Sequence, residues 1–114
     1  MTTPRVHRVP ADGPPLADEE SALTIIGDAL GAGAELVTVP VARLTPDFFR
    51  LRTGVAGAVV QKFVNYRLRL VIVGDVAADG ALADWVREAN RGRELWFVAD
   101  AAELARRLAA IHVT

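Results

Sequence analysis

The stretch that decides the fold is DFFRLRTGVAGAVVQKFVNYRLRLVIVGD, residues 47–75. It starts as a polar loop, continues as an amphipathic helix opened by Thr53 and Gly54, and ends in a continuously apolar run at residues 70–73. One helical stripe of apolar side chains is formed by Val55, Val59, Val60, Phe63 and Tyr66. An apolar strand without alternation is typical of a parallel sheet covered on both faces. The stretch therefore predicts a helix followed by the central strand of a sheet.

Strand and helix patterns alternate on both sides of this unit. Residues 36–41 and 95–98 are short runs rich in β-branched or aromatic side chains, and each predicts a strand. Asp18 predicts the N-cap of a first helix, whose inward face is expected to consist of Ala22, Leu23, Ile26, Ala29 and Leu30. Further helices are predicted around residues 82–89 and after Asp100. This alternation predicts an α/β fold, with a single-layer, mainly parallel sheet of about four strands and helices packed against it.

Length and composition suit one globular domain over residues 1–114. Hydrophobic residues make up 52% and charged residues 24% of the chain. Prolines make residues 1–17 irregular or, at best, an edge strand. A net charge of −1 argues against binding to nucleic acid or to an anionic membrane. No apolar run is long enough to span a bilayer, and residues 1–15 lack the apolar core of a signal peptide, so we expect a cytoplasmic protein.

Catalytic and metal-binding patterns are weak in this sequence. There is no cysteine, and His7 and His112 lie near opposite ends of the chain without a local partner at metal-ligand spacing. Ser21 is the only serine and falls in a predicted first helical turn, where capping suits it better than nucleophilic catalysis. We therefore expect no metal and no cofactor, and a binding domain rather than an enzyme.

Two stretches, residues 48–75 and WVREANRGRELWFV at residues 85–98, together resemble a bacterial domain-of-unknown-function family, number 4180. The resemblance covers about residues 21–108. The order of elements also resembles the STAS-like fold, the class of sulfate-transporter and anti-sigma-factor-antagonist domains. Its pieces here are the strand at 36–41, the polar Thr53-Gly54 pair at a helix start, and the strand LRLVIVG. The resemblance implies a regulatory module that acts through a protein partner.

Thr53 is the phosphorylation candidate that this resemblance implies. Antagonist-type STAS proteins carry a phosphorylatable serine just before a glycine at a helix N-terminus, and Thr53-Gly54 occupies that place. The sequence departs from the pattern, because threonine replaces serine and Leu51-Arg52 replaces a small polar or acidic pair. The alternative is that Thr53 is only a helix cap.

Candidate binding residues lie along residues 48–75. A partner surface is predicted from Phe49, Arg50, Arg52, Gln61, Lys62, Asn65 and Tyr66. The alternative for its helical part is an ordinary solvated face. The alternative function is a small-molecule or anion-binding domain, or an enzyme, that uses Arg50, Arg52 and Asp75, which follows the central strand. The two arginines could also be ordinary solvated surface residues or pair with Asp47. Self-association, as a homodimer, is a third reading if Trp96 or Phe49 is exposed in an apolar patch.

Overall fold

The computed structural model describes residues 4–113, and within that range the fold is a four-stranded parallel sheet with four α-helices. The strands are β1 (Val6–Arg8), β2 (Leu36–Pro40), β3 (Arg69–Val73) and β4 (Leu95–Val98). They lie side by side in chain order, every neighbouring pair parallel. The helices are α1 (Glu19–Gly31), α2 (Val55–Asn65), α3 (Gly80–Arg91) and α4 (Ala101–Val113). The predicted single-layer, parallel α/β fold is confirmed.

Alternate strand residues divide between two hydrophobic clusters, one on each face of the sheet. On one face, the strands pack against α1, α2 and α3 through Val37, Val39, Leu70, Ile72 and Phe97. On the other face, Leu36, Val71, Trp96 and Val98 pack against Leu104 and Leu108 of α4. Burial on both faces explains why residues 70–73 of β3 are continuously apolar, since both sets of alternate positions pack against helices.

The connection from β2 to α2 runs through three short 3₁₀ turns, Val41–Arg43, Pro46–Phe49 and Leu51–Thr53. Arg43 is only 8% exposed. Its Nε donates to the carbonyl oxygen of Pro14 at 2.8 Å, and its Nη1 donates to those of Pro10 and Asp12 at 2.9 and 3.0 Å. This one side chain ties the loop after β1 to the loop after β2 at the carboxyl edge of the sheet.

Two predicted helix faces differ from the observed ones. In α1, Leu23 and Leu30 are 39% and 47% exposed, while Ile25 is buried. The buried face of α1 therefore consists of Ala22, Ile25, Ile26 and Ala29, at positions i, i+3, i+4 and i+7. The two alanines are small and leave room for close packing. In α2 the inward stripe ends at Phe63, because Tyr66 lies past the last helical residue, at the C-cap.

Candidate functional site

Five consecutive exposed residues, 50–54, lead into α2, and we call them the α2 elbow. The Thr53 hydroxyl holds their shape, because its Oγ1 lies 2.7 Å from the carbonyl oxygen of Asp47 and 2.8 Å from that of Arg50, either of which can accept its proton. The same oxygen accepts the backbone N–H of Val55 at 3.2 Å. Gly54, with a φ of 75°, takes the N-cap position that the sequence suggested for Thr53. Thr53 therefore lies one residue before the N-cap, and its hydroxyl accepts the N–H of Val55, the first residue of α2.

The two elbow arginines differ in their surroundings. Arg50 Nη1 lies 3.2 Å from Asp47 Oδ1, an exposed ion pair of the kind expected for a surface arginine. Within residues 4–113, the side chain of Arg52 makes no hydrogen bond or ion pair. One guanidinium is therefore engaged locally, and the other is available to a ligand or partner.

A row of aromatic rings supports the elbow from below. Phe48 is fully buried and Phe49 is half-buried, with their ring centroids 5.3 Å apart in an edge-on arrangement. The row continues from Phe48 to Trp85 at 6.3 Å and from Trp85 to Phe97 of β4 at 5.5 Å. The elbow thus rests on packing that reaches the sheet, which limits how far it can move.

The polar residues predicted on α2 lie toward the other end of that helix. Gln61 Nε2 donates to Asn65 Oδ1 at 2.8 Å, and Tyr66 is 46% exposed at the C-cap. Lys62 Nζ lies 3.5 Å from Glu19 Oε2 and so joins α2 to α1. An 11-residue helix is about 16 Å long. The predicted partner surface is therefore two separate patches, with the elbow at one end of α2 and this polar group toward the other.

Asp75 is exposed just beyond the carboxyl end of β3. The preceding Gly74 has a φ of 133°, and a Cβ placed on it would lie 2.9 Å from Cγ2 of Val41. The side chain of Val41 therefore packs directly against Gly74, next to the carboxyl ends of β2 and β3. Three clefts of the described chain are lined by residues other than Arg50, Arg52 and Asp75.

Sequence reasoning passed over the opposite, amino edge of the sheet, where a cleft of 510 Å³ is lined by Arg67, Arg69 and Arg93. We call it the amino-edge cleft. Arg67 and Arg69 stand at the start of β3, and Arg93 stands just before β4. The signal in the sequence was available, because the amino ends of neighbouring parallel strands meet at one edge and both of these ends carry arginine.

Beside this cleft, two guanidinium groups contact the buried indole of Trp96. The Cζ atoms of Arg69 and Arg107 lie 4.4 and 4.0 Å from the ring centroid. The Trp96 Nε1–H donates to the carbonyl oxygen of Gly92 at 2.7 Å. Burial lowers the pKa of Arg69 from its ordinary value, and the positive charges of Arg93 and Arg107 lower it further. Trp96 itself is 2% exposed, so it offers no apolar patch for self-association.

The described residues contain no group of three or more His, Cys, Asp or Glu side chains that could hold a metal ion. His7 is half-buried on β1, and the side chain of His112 lies outside the described part of the structure. No helix in residues 4–113 is both long and apolar enough to cross a bilayer.

Comparison with known proteins gives one match. A family model described as a domain of unknown function (DUF4180) matches residues 2–108, which is nearly the whole chain. Comparison with curated proteins and with solved structures gave no match.

Proposed function

This chain belongs to the family of that domain of unknown function, DUF4180, and we propose that it is a binding and regulatory module that docks a protein partner through the α2 elbow. One observation carries the proposal. Five consecutive exposed residues are ordered by hydrogen bonds of the Thr53 hydroxyl and of the backbone N–H groups of Thr53 and Gly54. A surface that is ordered before it binds loses less conformational entropy on association than a flexible loop does.

The finer parts of this proposal are a STAS-like fold, a bacterial source and a cytoplasmic location. Parallel strands in chain order, each followed by a helix, and a Thr-Gly pair at the start of α2 support a STAS-like arrangement. The net charge of −1 supports a protein partner over nucleic acid or an anionic membrane.

The elbow has chemistry suited to a partner with acidic groups. Leu51 is 38% exposed and supplies apolar area, and it lies between Arg50 and Arg52 in the sequence. Arginine is enriched in protein interfaces, where its planar fork can bind carboxylates with two hydrogen bonds. Arg52 is the stronger candidate contact, since Arg50 must first leave Asp47.

Phosphorylation of Thr53 would act directly on the shape of the elbow. Adding phosphate removes the one hydroxyl proton that Oγ1 donates to the carbonyl oxygen of Asp47 or of Arg50, and it places a dianion beside both carbonyls. The elbow would then open, and Arg50 or Arg52 could pair with the phosphate instead of with a partner. Thr53 is thus proposed as the point at which docking is switched.

Affinity capture from an extract of the source cells, read by mass spectrometry, tests this proposal. The bait proteins are wild type, the double variant Arg50→Ala/Arg52→Ala, and Thr53→Glu. The matched control is Arg87→Ala/Arg91→Ala, which removes two exposed arginines of α3 that pair with Asp84 and Glu88, as Arg50 pairs with Asp47.

We expect one protein to be recovered with wild type and with the α3 control, and to be lost with both elbow variants. Thermal melting of each bait checks that all four are folded. Equal recovery of every protein by wild type and by the elbow double variant would contradict the proposal.

The alternative of an anion site formed by Arg50, Arg52 and Asp75 has less support. Arg50 already has a carboxylate partner in Asp47, and none of the three clefts described above is lined by Arg50, Arg52 or Asp75. We therefore propose no second function for these three residues.

A further inference from the structure

Four arginines stand together at the amino edge of the sheet without a carboxylate partner. Arg67, Arg69 and Arg93 line the amino-edge cleft, and Arg69 and Arg107 both contact Trp96. Within residues 4–113, no ion pair is made by Arg67, Arg69, Arg93 or Arg107. Like charges in proximity repel one another, most strongly where burial removes water. Glu35 and Glu94 also line the cleft without an ion pair to these arginines in the described part of the chain, so three guanidinium groups stand beside two carboxylates, and a bound anion would neutralise the remaining positive charge.

Two of the four arginines are held in place by hydrogen bonds to backbone carbonyls, one within the cleft and one beside it. The Arg69 Nε donates to the carbonyl oxygen of Arg93 at 2.5 Å, and the Arg107 Nη2 donates to that of Asn90 at 2.6 Å. Arg67 and Arg93 make no side-chain hydrogen bond within the described residues. Their guanidinium donors are therefore free to bind a ligand, while Arg69 is already ordered.

Arg67 has an unfavourable backbone conformation, with a φ of 58°. It follows α2, and the N–H groups of Arg67 and Leu68 bond back to the carbonyls of Val64 and Phe63, as in a helix end that normally carries glycine. An L-residue other than glycine is strained in this left-handed region, and such strain is concentrated at functional sites. Arginine at this position places a guanidinium group at the cleft, where the glycine that usually occupies a left-handed helix end would supply no charge.

The remaining lining of the amino-edge cleft is largely apolar, and it includes Leu36, Leu68 and Leu108. Its volume of 510 Å³ falls within the size range of small-molecule sites. Glu35 and Glu94 also line the cleft, and both are exposed. A ligand that fits this surface has an anionic head at the arginines, an apolar body, and no second negative charge facing the glutamates.

From this arrangement we infer that the amino-edge cleft binds a small organic phosphate, with the phosphate held by Arg67, Arg69 and Arg93 and the apolar body packed on Leu36, Leu68 and Leu108. Phosphate suits the site because it carries up to two negative charges at neutral pH and three acceptor oxygens. Arginine forks bind phosphate oxygens with paired, charge-assisted hydrogen bonds. This inference goes beyond the proposed docking function, since the cleft and the α2 elbow lie at opposite ends of α2.

Isothermal titration of the full chain with phenyl phosphate tests the inference. Inorganic phosphate and benzyl alcohol are the two comparison probes, since each offers only one half of the ligand chemistry. The variants are Arg67→Gly and Arg93→Ala. Glycine adopts the left-handed conformation freely, so Arg67→Gly keeps the backbone and removes only the guanidinium. The control is Arg52→Ala, which removes an unpaired, exposed arginine from the other end of α2.

We expect phenyl phosphate to bind wild type with a Kd below about 1 mM, and roughly tenfold more weakly to Arg67→Gly and to Arg93→Ala. Arg52→Ala should bind as wild type does, whereas it should weaken capture of a protein partner by the elbow. Three results would overturn the inference: no binding of phenyl phosphate to wild type, equal affinity for all four proteins, or equal affinity of wild type for phenyl phosphate and inorganic phosphate.

Discussion

Replacing Arg43 with alanine should destabilise the whole domain, although the residue lies in a short 3₁₀ turn. Its guanidinium donates to three carbonyl oxygens in residues 10–14, and its own carbonyl accepts the N–H of Leu16. The loop fits closely around it, because a Cβ on Gly13 would lie 2.9 Å from Arg43 Nη1. The side chain is thus the main polar link between the chain before α1 and the chain before α2.

The size of the effect follows from these contacts. A hydrogen bond from a charged donor contributes about 1.5 to 3 kcal/mol net. The three bonds do not add fully, since the loop is exposed and its carbonyls regain water in the variant. We estimate a loss of about 3 kcal/mol. With a melting entropy of about 2.1 cal/mol/K per residue over 114 residues, this loss lowers Tm by about 12 °C.

Calorimetry of Arg43→Ala measures the global effect, and hydrogen exchange of the Leu16 amide measures the local one. Arg43→Lys should fall between wild type and alanine, because an ammonium group cannot reach three carbonyls with the geometry of a guanidinium. Arg8→Ala removes an exposed arginine of the neighbouring edge strand and should change stability by less than about 0.5 kcal/mol. The reasoning is refuted if Arg43→Ala and Arg8→Ala have the same Tm, or if Leu16 exchanges equally fast in both.

Three further changes test individual parts of the structure by thermal melting. Thr53→Val removes the hydroxyl that shapes the elbow and should lower the free energy of unfolding by about 1 kcal/mol, or Tm by roughly 4 °C. Thr53→Ser keeps the hydroxyl and should lower Tm less, and equal losses in the two variants would show that the hydroxyl does not stabilise the elbow. Arg67→Gly should raise the free energy of unfolding by about 0.5 kcal/mol, because glycine adopts the left-handed backbone conformation without strain. Arg87→Gly, inside α3, should lower it by about 1 kcal/mol, and a similar loss for Arg67→Gly would show that the Arg67 backbone is not strained. Hydrogen bonds from Ser21 lower the pKa of Asp18 from its ordinary 3.8, so its charge stabilises the fold at neutral pH, and this contribution is lost as pH falls through the folded-state pKa. The Tm difference between wild type and Asp18→Asn should therefore shrink below pH 3.8, and a constant difference would contradict the linkage.

The architecture was readable from the sequence where the pattern is local and repeated. The run at residues 70–73 has no polar position, which is the direct consequence of burial on both faces of β3, and its place at the centre of the sheet follows. Asp100 and Glu103 likewise predict the start of α4. The Glu103 N–H donates to Asp100 Oδ1, and the Glu103 carboxylate accepts the backbone N–H of Ala99. In this capping motif, the residues that form each contact are no more than four positions apart in the sequence, so the sequence alone reveals them.

The binding features that sequence reasoning missed depend on contacts between distant parts of the chain. Arg43 reaches carbonyls 29 to 33 residues before it, and nothing in its own neighbourhood marks it as buried. In the same way, Arg69 meets the carbonyl of Arg93 only because β3 and β4 are paired in parallel register. The predicted partner surface combined Gln61, Lys62 and Asn65 with the elbow residues, but the length of α2 separates the two groups. Periodicity predicts which face of a helix a residue lies on. Residues that form one site must also lie near the same end of that helix.

The position of α2 gives the two proposed sites a physical relation. Its first residue, Val55, donates its N–H to the Thr53 hydroxyl, and its C-terminal cap leads through Arg67 into β3. Between these ends, Val59 and Phe63 are fully buried against the sheet, so the helix is fixed in place. A helix that can shift as a rigid body would carry a displacement from one end to the other. Here the buried side chains hold the helix against the sheet, so binding at one end moves the other end little unless the core repacks. We therefore expect phenyl phosphate at the amino-edge cleft and a partner at the α2 elbow to bind independently, with each leaving the affinity of the other unchanged.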